Sequence, residues 1–357
     1  MTRATNPIST VAVLLPLPDA ALAKLRGAFK TVHYHPDFTL PAAVRPEVEY
    51  IFTSWAGLPS DVALADIPNV RHVQLGMAGA DKLLSSPAIA EIAKRGAASP
   101  TVSTASGTHV VSIPQWVVGN VINLFHQMQS MISFARTNAR WASEPEVDIA
   151  SQPYFARSLY GRTAGMLGYG ALGRESARLL KAHGMRVIAA NTSGKSTSET
   201  EYVIPGTGDP DGSIPSAYFS TKDASAFDEF LSQTDVLVCS MPSTPATRGM
   251  LTAERLAKLR PGALLINIGR GDLVSSADIL AALDNGTLFG AALDVTDPEP
   301  LPAGHALWTH PRAIVTPHLS GNAEGEFDIA TDIALENARR VERGERPFNV
   351  VDLAKGY

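Results

Sequence analysis

Thr163–Asn191, TAGMLGYGALGRESARLLKAHGMRVIAAN, is the stretch whose reading decides the fold. The apolar run Ala164–Leu167 reads as a strand. Gly168-Tyr169-Gly170-Ala171-Leu172-Gly173 follows it as a complete G-x-G-x-x-G. A helix comes next, with Ala177, Leu179, Leu180 and Ala182 as its apolar positions. It stops near Gly184, and Val187–Ala190 reads as a second strand. Gly168 permits the tight turn, Gly170 lets a pyrophosphate approach the backbone, and Gly173 lets the helix pack close to the strand. Ala171 and Leu172 open a helix whose first N–H groups and positive dipole end suit phosphates. The six-residue pattern alone is weak. With a strand before it, a helix after it and a second strand at the right distance, it points to a dinucleotide-binding βαβ unit.

Working outward, 357 residues are more than one ordinary domain and fit two. A hydrophobic content of 45% is ample for packed cores. The net charge of −5 and the lack of a basic cluster argue against a nucleic-acid surface. The single cysteine, Cys239, excludes an internal disulfide, and its apolar flank reads as a buried strand end. No apolar run reaches the length of a membrane span, and MTRATNPIST has no apolar signal core. The expectation is a soluble cytoplasmic protein with no metal site.

Before the fingerprint, Val11–Leu15, Val32–His35, Tyr50–Thr53, Val70–Leu75 and Thr101–Thr104 read as strands. Asp19–Phe29 and Lys82–Lys94 read as helices between them. Such alternation predicts a parallel sheet with helices on both faces. The turn Gly76-Met77-Ala78-Gly79 leaves the end of one of these strands, where open parallel sheets bind ligands. The N–H groups of Ala78 and Gly79 could hold a carboxylate; an ordinary tight turn is the other reading. Ser112–Met128 reads as a long apolar helix with Pro114 in its first turn. Residues 130–160, with Arg136, Arg140 and Trp141, read as neither a clean strand nor a well-capped helix. They are an irregular connection or an arm packing on a second subunit. Residues 192–216 are rich in Ser, Thr, Gly, Pro and Asp, with Pro205-Gly-Thr-Gly-Asp-Pro-Asp-Gly212 turn chemistry throughout, and make a loop unusually long for an α/β connection. Beyond them the alternation resumes: helix Ala226–Leu231, strand Asp235–Cys239, helix Ala253–Leu259, strand Ala263–Ile268, helix Ser276–Leu283, and strands Gly290–Leu293 and Ala313–Val315.

Three residues with chemistry follow these later strands: Arg270 in NIGRG, Glu299 in DVTDPEP and His318 in TPHLS. Each alone has a bland reading. Together they set a cation, a carboxylate and an imidazole on the edge that carries the glycine fingerprint. A guanidinium can hold and polarise a 2-keto acid, and an imidazole can protonate the alkoxide formed by hydride addition. A carboxylate bonded to the imidazole fixes its tautomer.

The chain resembles the D-isomer-specific 2-hydroxyacid dehydrogenase family, which includes glyoxylate/hydroxypyruvate reductases. The likeness covers nearly the whole chain. It is strongest in GRTAGMLGYGALGRESARLL, TRGMLTAERLAKLRPGALLINIGRGDLV, GAALDVTDPEPLP and ALWTHPRAIVTPHLSG. It implies two doubly wound parallel-sheet domains, Rossmann-like or flavodoxin-like, one split around the other. The substrate domain would comprise residues 1–111 and 320–357, and the NAD(P)-binding domain residues 112–319. It implies Arg270, Glu299 and His318 as the catalytic set. Ala78 and Gly79 would hold the substrate carboxylate, with Trp55, Met77, Ser54, Trp308 and Trp141 shaping the pocket. It implies Asp294 at the nicotinamide carboxamide, and adds Met241, Pro242, Ile268, Gly269 and Gly321 to the cofactor-lining residues. It further implies a homodimer through an arm at about 130–160, with Trp141 reaching the partner's site.

The departures carry information. NAD-dependent members place an acid at the end of the second strand; here Asn191-Thr192-Ser193-Gly194-Lys195 stands there. Neutral donors and a cation suit a 2′-phosphate, which favours NADP over NAD. The pair Pro114-Gln115 replaces the small-acidic pair that commonly starts the linking helix, and His109 before it reads as structural. The expected activity is reduction of a small 2-keto acid: glyoxylate, hydroxypyruvate or a branched or aromatic relative. The alternative is a dinucleotide-sensing corepressor on the same scaffold.

Overall fold

The computed structural model describes residues 6–80, 83–96, 100–147 and 154–353. Along the chain, β1 (Thr10–Leu14), α1 (Asp19–Ala28), β2 (Thr31–Tyr34), β3 (Tyr50–Thr53), β4 (His72–Leu75), α2 (Pro87–Arg95) and β5 (Thr101–Ser103) form the first run. Helices α3 (Ile113–Phe125), α4 (Met128–Asn138) and α5 (Glu144–Val147) follow. The second run is β6 (Thr163–Leu167), α6 (Ala171–Ala182), β7 (Arg186–Asn191), β8 (Tyr218–Ser220), α7 (Ala224–Ser232), β9 (Val236–Cys239), α8 (Ala253–Leu256), β10 (Ala263–Asn267), α9 (Ser276–Asp284), β11 (Leu288–Leu293) and β12 (Ala313–Val315). The long helix α10 (Glu326–Arg343) comes last.

These elements form two compact units. One comprises the residues through Thr108, Thr200–Tyr202 and the segment from Ala323; the other is His109–Glu199 with Val203–Asn322. The sequence expectation put the divisions at 111/112 and 319/320 and gave no residue of the 192–216 stretch to the first unit.

The first unit is a five-stranded parallel sheet in the order β2-β1-β3-β4-β5. Strand alternation sorts its core. Val11 and Val13 of β1 face a cluster with Leu22 and Leu25 of α1 and Ala334 and Ala338 of α10. Ala12 and Leu14 face the opposite cluster, with Ile89 and Ile92 of α2. Helices thus cover both faces, and so β1, β3 and β4 are buried along their whole length, with His72 and Gln74 of β4 among the buried polar exceptions to their apolar content. Asn337 of α10 donates to Gln74 Oε1 (2.7 Å) and accepts from Phe348 N (2.7 Å), which fastens the tail after α10.

The second unit is a seven-stranded parallel sheet in the order β12-β11-β10-β9-β6-β7-β8. Its order reverses between β6 and β9, the switch point at which such sheets bind ligands. Val117, Val121 and Phe125 of α3 and Ala177 and Leu180 of α6 cover one face. Phe227 and Phe230 of α7 and Ile279 and Leu283 of α9 cover the other. Cys239 is fully buried at the end of β9, and burial pushes its thiol well up.

Several local expectations need correction. The helix expected over Lys82–Lys94 is a 3-10 turn, Leu83–Ser85, followed by α2, because Pro87 starts a new helix; Lys82 itself lies outside the described residues. The helix expected over Ser112–Met128 ends at Phe125, where Gln127 takes a left-handed φ of 50°. A second helix, α4, then fills part of the stretch expected to be irregular. It buries no residue, so it has no one-sided core stripe to reveal it. Residues 148–153 of the expected arm lie outside the described residues. The helix expected over Ala253–Leu259 stops at Leu256. The sheet also gains an edge strand, β8, too short to stand out after the turn-rich stretch. No helix among the described residues is long and apolar enough to cross a membrane.

Candidate active site

The site is built on the carboxyl ends of β6, β7, β9, β10, β11 and β12, all on one edge of the second sheet because every pairing is parallel. At β6 the glycine turn has the form the sequence requires. Gly168 sits at φ +93°, and a Cβ on Gly173 would lie 2.4 Å from the Gly168 carbonyl oxygen. Only hydrogen at position 173 lets α6 start that close to the strand. Gly170, by contrast, has open space where a Cβ would go. The first backbone bond of α6 runs from Arg174 N to Gly170 O (2.9 Å), so the N–H groups of Ala171, Leu172 and Gly173 precede the helical ladder. An open cradle with helix-start donors fits a dinucleotide pyrophosphate.

Ser240, after β9, touches this turn: its hydroxyl donates to Gly168 O (3.3 Å), ahead of Met241 and Pro242. After β10, Asn267 Oδ1 accepts from Gly269 N (3.1 Å) and its Nδ2 donates to Arg270 O (3.0 Å), which shapes the turn carrying Arg270. The Arg270 guanidinium donates to Gly269 O (2.8 Å). A Cβ on Gly271 would fall 1.8 Å from Thr296 O, so the loops after β10 and β11 are in direct backbone contact. That contact sets Arg270 beside the segment that leads to Glu299.

His318 Nδ1 donates to Glu299 Oε1 at 2.7 Å. The bond leaves Nε2 as the ring nitrogen able to serve a ligand. His318 holds a left-handed φ of 55°, uncommon for a non-glycine residue. Asp294 explains how that conformation is kept. Its carbonyl accepts from His318 N (2.9 Å). Its buried carboxylate accepts from Thr316 Oγ1 (2.5 Å), Leu319 N (3.1 Å), Ser320 N (3.2 Å) and the Ser320 hydroxyl. The carboxylate is therefore committed to the turn bearing His318, a role the sequence reading, which gave Asp294 to the nicotinamide, did not foresee. Asp294 and His318 lie in separate sequence motifs, DVTDPEP and TPHLS, and only the folded turn brings them together.

The remaining expected residues fall as follows. His109 Nδ1 lies 3.0 Å from Gly321 O. Asn191 ends β7, and its amide is folded onto Ser193, Gly194 and Lys195. Ile268 and Met241 pack within the unit's core. Trp141 is 94% exposed, after α4. Trp308 is half-exposed, with its indole N–H on Pro302 O (2.9 Å). Trp55, Met77, Ala78 and Gly79 belong to the first unit; the last three follow β4 directly. No group of three or more His, Cys, Asp or Glu side chains among the described residues could hold a metal.

Sequence reading missed the partners of the fingerprint helix. Tyr169 donates to Asp209 Oδ2 (2.7 Å) inside the protein. Buried Arg174 donates to Asp209 O (2.6 Å) and Thr197 O (2.7 Å) and pairs with Glu199 (3.2 Å). Glu175 accepts from Gly208 N (2.6 Å). The turn-rich stretch is thus fastened onto α6. An arginine and a glutamate in the first turns of an otherwise apolar-faced helix were the available signal.

Residues 118–320 match the family model described as the D-isomer specific 2-hydroxyacid dehydrogenase, NAD binding domain. The chain is 32% identical over 247 residues to a glyoxylate/hydroxypyruvate reductase A of Salmonella paratyphi B, covering 69% of each chain. Among solved structures it is similar to a D-isomer specific 2-hydroxyacid dehydrogenase of Xanthobacter autotrophicus in complex with NADPH (TM-score 0.74, 26% identity, 98% of this chain and 100% of that one). It is also similar to an NADPH-dependent glyoxylate/hydroxypyruvate reductase of Sinorhizobium meliloti in complex with NADP (TM-score 0.71, 27% identity, 98% and 100%). With the dinucleotide cradle and the strand order already described, these findings make the chain an NAD(P)-dependent oxidoreductase that belongs to the D-isomer specific 2-hydroxyacid dehydrogenase family.

Proposed function

We propose that the protein reduces a small 2-keto acid to the D-2-hydroxy acid with NADPH, glyoxylate and hydroxypyruvate being the first substrates to test and branched or aromatic keto acids the next. The observation that carries this is the 2.7 Å His318–Glu299 pair on the sheet edge that bears the glycine cradle. The bound dinucleotide supplies a hydride to the carbonyl carbon. The chain's residues do the rest. Backbone N–H groups at Gly170–Gly173 hold the pyrophosphate, and Met241, Pro242, Ile268 and Gly269 line the cofactor side. Arg270 binds the substrate and polarises its carbonyl. His318 gives the proton on Nε2 to the carbonyl oxygen as negative charge develops there. Glu299 holds the imidazole by Nδ1, so that Nε2 carries the transferable proton, and balances the imidazolium charge. From the first unit, the N–H groups of Ala78 and Gly79 are proposed to bind the substrate carboxylate, with Trp55 and Met77 selecting the side chain.

The proposed assembly is a homodimer in the cytoplasm. Helix α4 buries no residue, and Met128, Ile132, Trp141, Phe155 and Tyr160 are exposed along one segment of the second unit, an apolar extent that suits a second copy of the chain. Trp141 is assigned to the partner's substrate pocket. Light scattering on the purified protein tests the dimer.

The function is tested by NADPH oxidation over a panel from glyoxylate to phenylpyruvate, with His318→Gln beside the wild type. The expected result is turnover with at least one short keto acid and its loss in the variant. Dinucleotide binding without turnover of any keto acid would favour a dinucleotide-sensing role instead.

A further inference from the structure

The sequence reading looked for the 2′-phosphate site only in the residues that directly follow β7. The fold brings a second segment there. β8 pairs with β7 in parallel with Asn191 opposite Ser220, and Thr221 N donates to Asn191 O (2.9 Å). The chain beyond β8 therefore leaves the sheet beside the chain beyond β7. The two turns are bonded to each other: Ser220 Oγ donates to Thr192 O (3.2 Å), and Lys222 N donates to Ser220 Oγ (3.2 Å). They are also in backbone contact, since a Cβ on Gly194 would lie 2.9 Å from Ser220 N.

The Asn191 amide is engaged within its own turn. Its Oδ1 accepts from Ser193 N (3.1 Å), Ser193 Oγ (3.1 Å) and Gly194 N (2.7 Å), and its Nδ2 donates to Lys195 O (2.8 Å). What the paired turns present outward is Lys195 and Lys222. Both are exposed, and among the described residues neither makes an ion pair; the paired lysines are Lys24 and Lys258. The nearest acid in sequence, Asp223, turns its carboxylate to Ser225 N and Ala226 N as the cap of α7. Two cations without ion-pair partners on bonded neighbouring turns, after β7 and β8, are chemistry that suits a phosphate dianion.

We propose that Lys222 is a specificity-determining residue that binds, together with Lys195, the 2′-phosphate of NADP(H). The proposal rests on the NADP reading above and names the residues that make it. The test is equilibrium binding: NADPH and NADH titrated by fluorescence, and adenosine 2′,5′-bisphosphate and AMP by calorimetry, on the wild type, Lys222→Ala, Lys195→Ala and Lys222→Arg. Lys222→Ala should weaken NADPH and adenosine 2′,5′-bisphosphate by about 5- to 20-fold, the range of one charge-assisted bond discounted for exposure. NADH and AMP should stay within about twofold, and Lys222→Arg should bind NADPH as the wild type does. If Lys222→Ala binds NADPH as tightly as the wild type, or weakens NADPH and NADH equally, Lys222 has no such role. If the wild type itself prefers NADH, the NADP reading falls and takes this proposal with it.

Discussion

Two glycines of the fingerprint should fail in opposite ways. Gly170 lies at φ −87°, ψ −162°, extended backbone open to alanine, and its added Cβ would meet nothing within 4 Å. Gly170→Ala should therefore fold as well as the wild type, or gain about 0.4–1 kcal/mol from a less flexible unfolded chain. Its methyl would occupy the space through which the pyrophosphate reaches the backbone. Losing one hydrogen bond to a charged group costs roughly 1.5–3 kcal/mol, so NADPH should bind about 10- to 150-fold more weakly. Gly173→Ala is the converse. Its Cβ would lie 2.4 Å from Gly168 O, and real Cβ contacts are not shorter than 3.0 Å, so α6 must move by at least 0.6 Å (3.0 minus 2.4). Overpacking of that kind costs about 1–3 kcal/mol, or a fall in Tm of roughly 2–12 °C for a unit of this size. Thermal melts of the apo proteins and fluorescence titration with NADPH read both effects. Wild-type affinity in Gly170→Ala would refute the placement of the pyrophosphate over this turn, and a wild-type melt in Gly173→Ala would refute the close contact between α6 and β6.

Other perturbations follow from the same geometry. Glu299→Gln should lower kcat by roughly 10²- to 10⁴-fold with the proposed keto acids while the melt stays within about 0.5 kcal/mol of the wild type, since the His318–Glu299 pair is half-exposed; steady-state kinetics and a melt decide it. His72 of β4 is buried, with Nδ1 bonded to Thr101 Oγ1 (2.7 Å) and Nε2 without a hydrogen-bond partner, and burial lowers its pKa to about 3. The unfolded chain takes up a proton near pH 6.5 that the folded chain refuses until about pH 3. Stability is thus full above pH 6.5 and falls as the pH drops below it, by about 2 kcal/mol at pH 5. Urea unfolding at pH 7 and pH 5 should show that extra loss in the wild type and not in His72→Leu; equal losses would sink the idea. Arg174→Leu removes a buried cation with partners on Asp209, Thr197 and Glu199, so about 3–5 kcal/mol should be lost and residues 196–214 should become open to limited proteolysis.

The readable parts of this chain are those in which physics acts over a few residues. The unit β6–α6–β7 was legible because the glycine spacing, the helical period and the two apolar runs are local properties. Cys239 and α3 were legible by the same kind of signal. Helix α4 was not, because a helix that buries nothing leaves no period to detect. Strand β8 was not, because three residues after a run of turn chemistry carry too little pattern; its pairing with β7 gives it its identity.

The site divides along the same line. Arg270, Glu299 and His318 could be picked out because each follows a strand in a run of strands and helices, and chain order sends such residues to one sheet edge. Their mutual geometry could not. The 2.7 Å bond from His318 to Glu299, the five donors gathered on Asp294 and the binding of Asp209 to Tyr169 and Arg174 join residues that no periodicity relates. Parallel strands lie next to each other by packing their faces against helices, and the order β12-β11-β10-β9-β6-β7-β8 leaves no mark in any one strand. Which element forms, and at which end its chemistry emerges, is a matter of local turns and periods. Which side chains then meet is decided by close packing and strand order, forces that act only once the chain has folded.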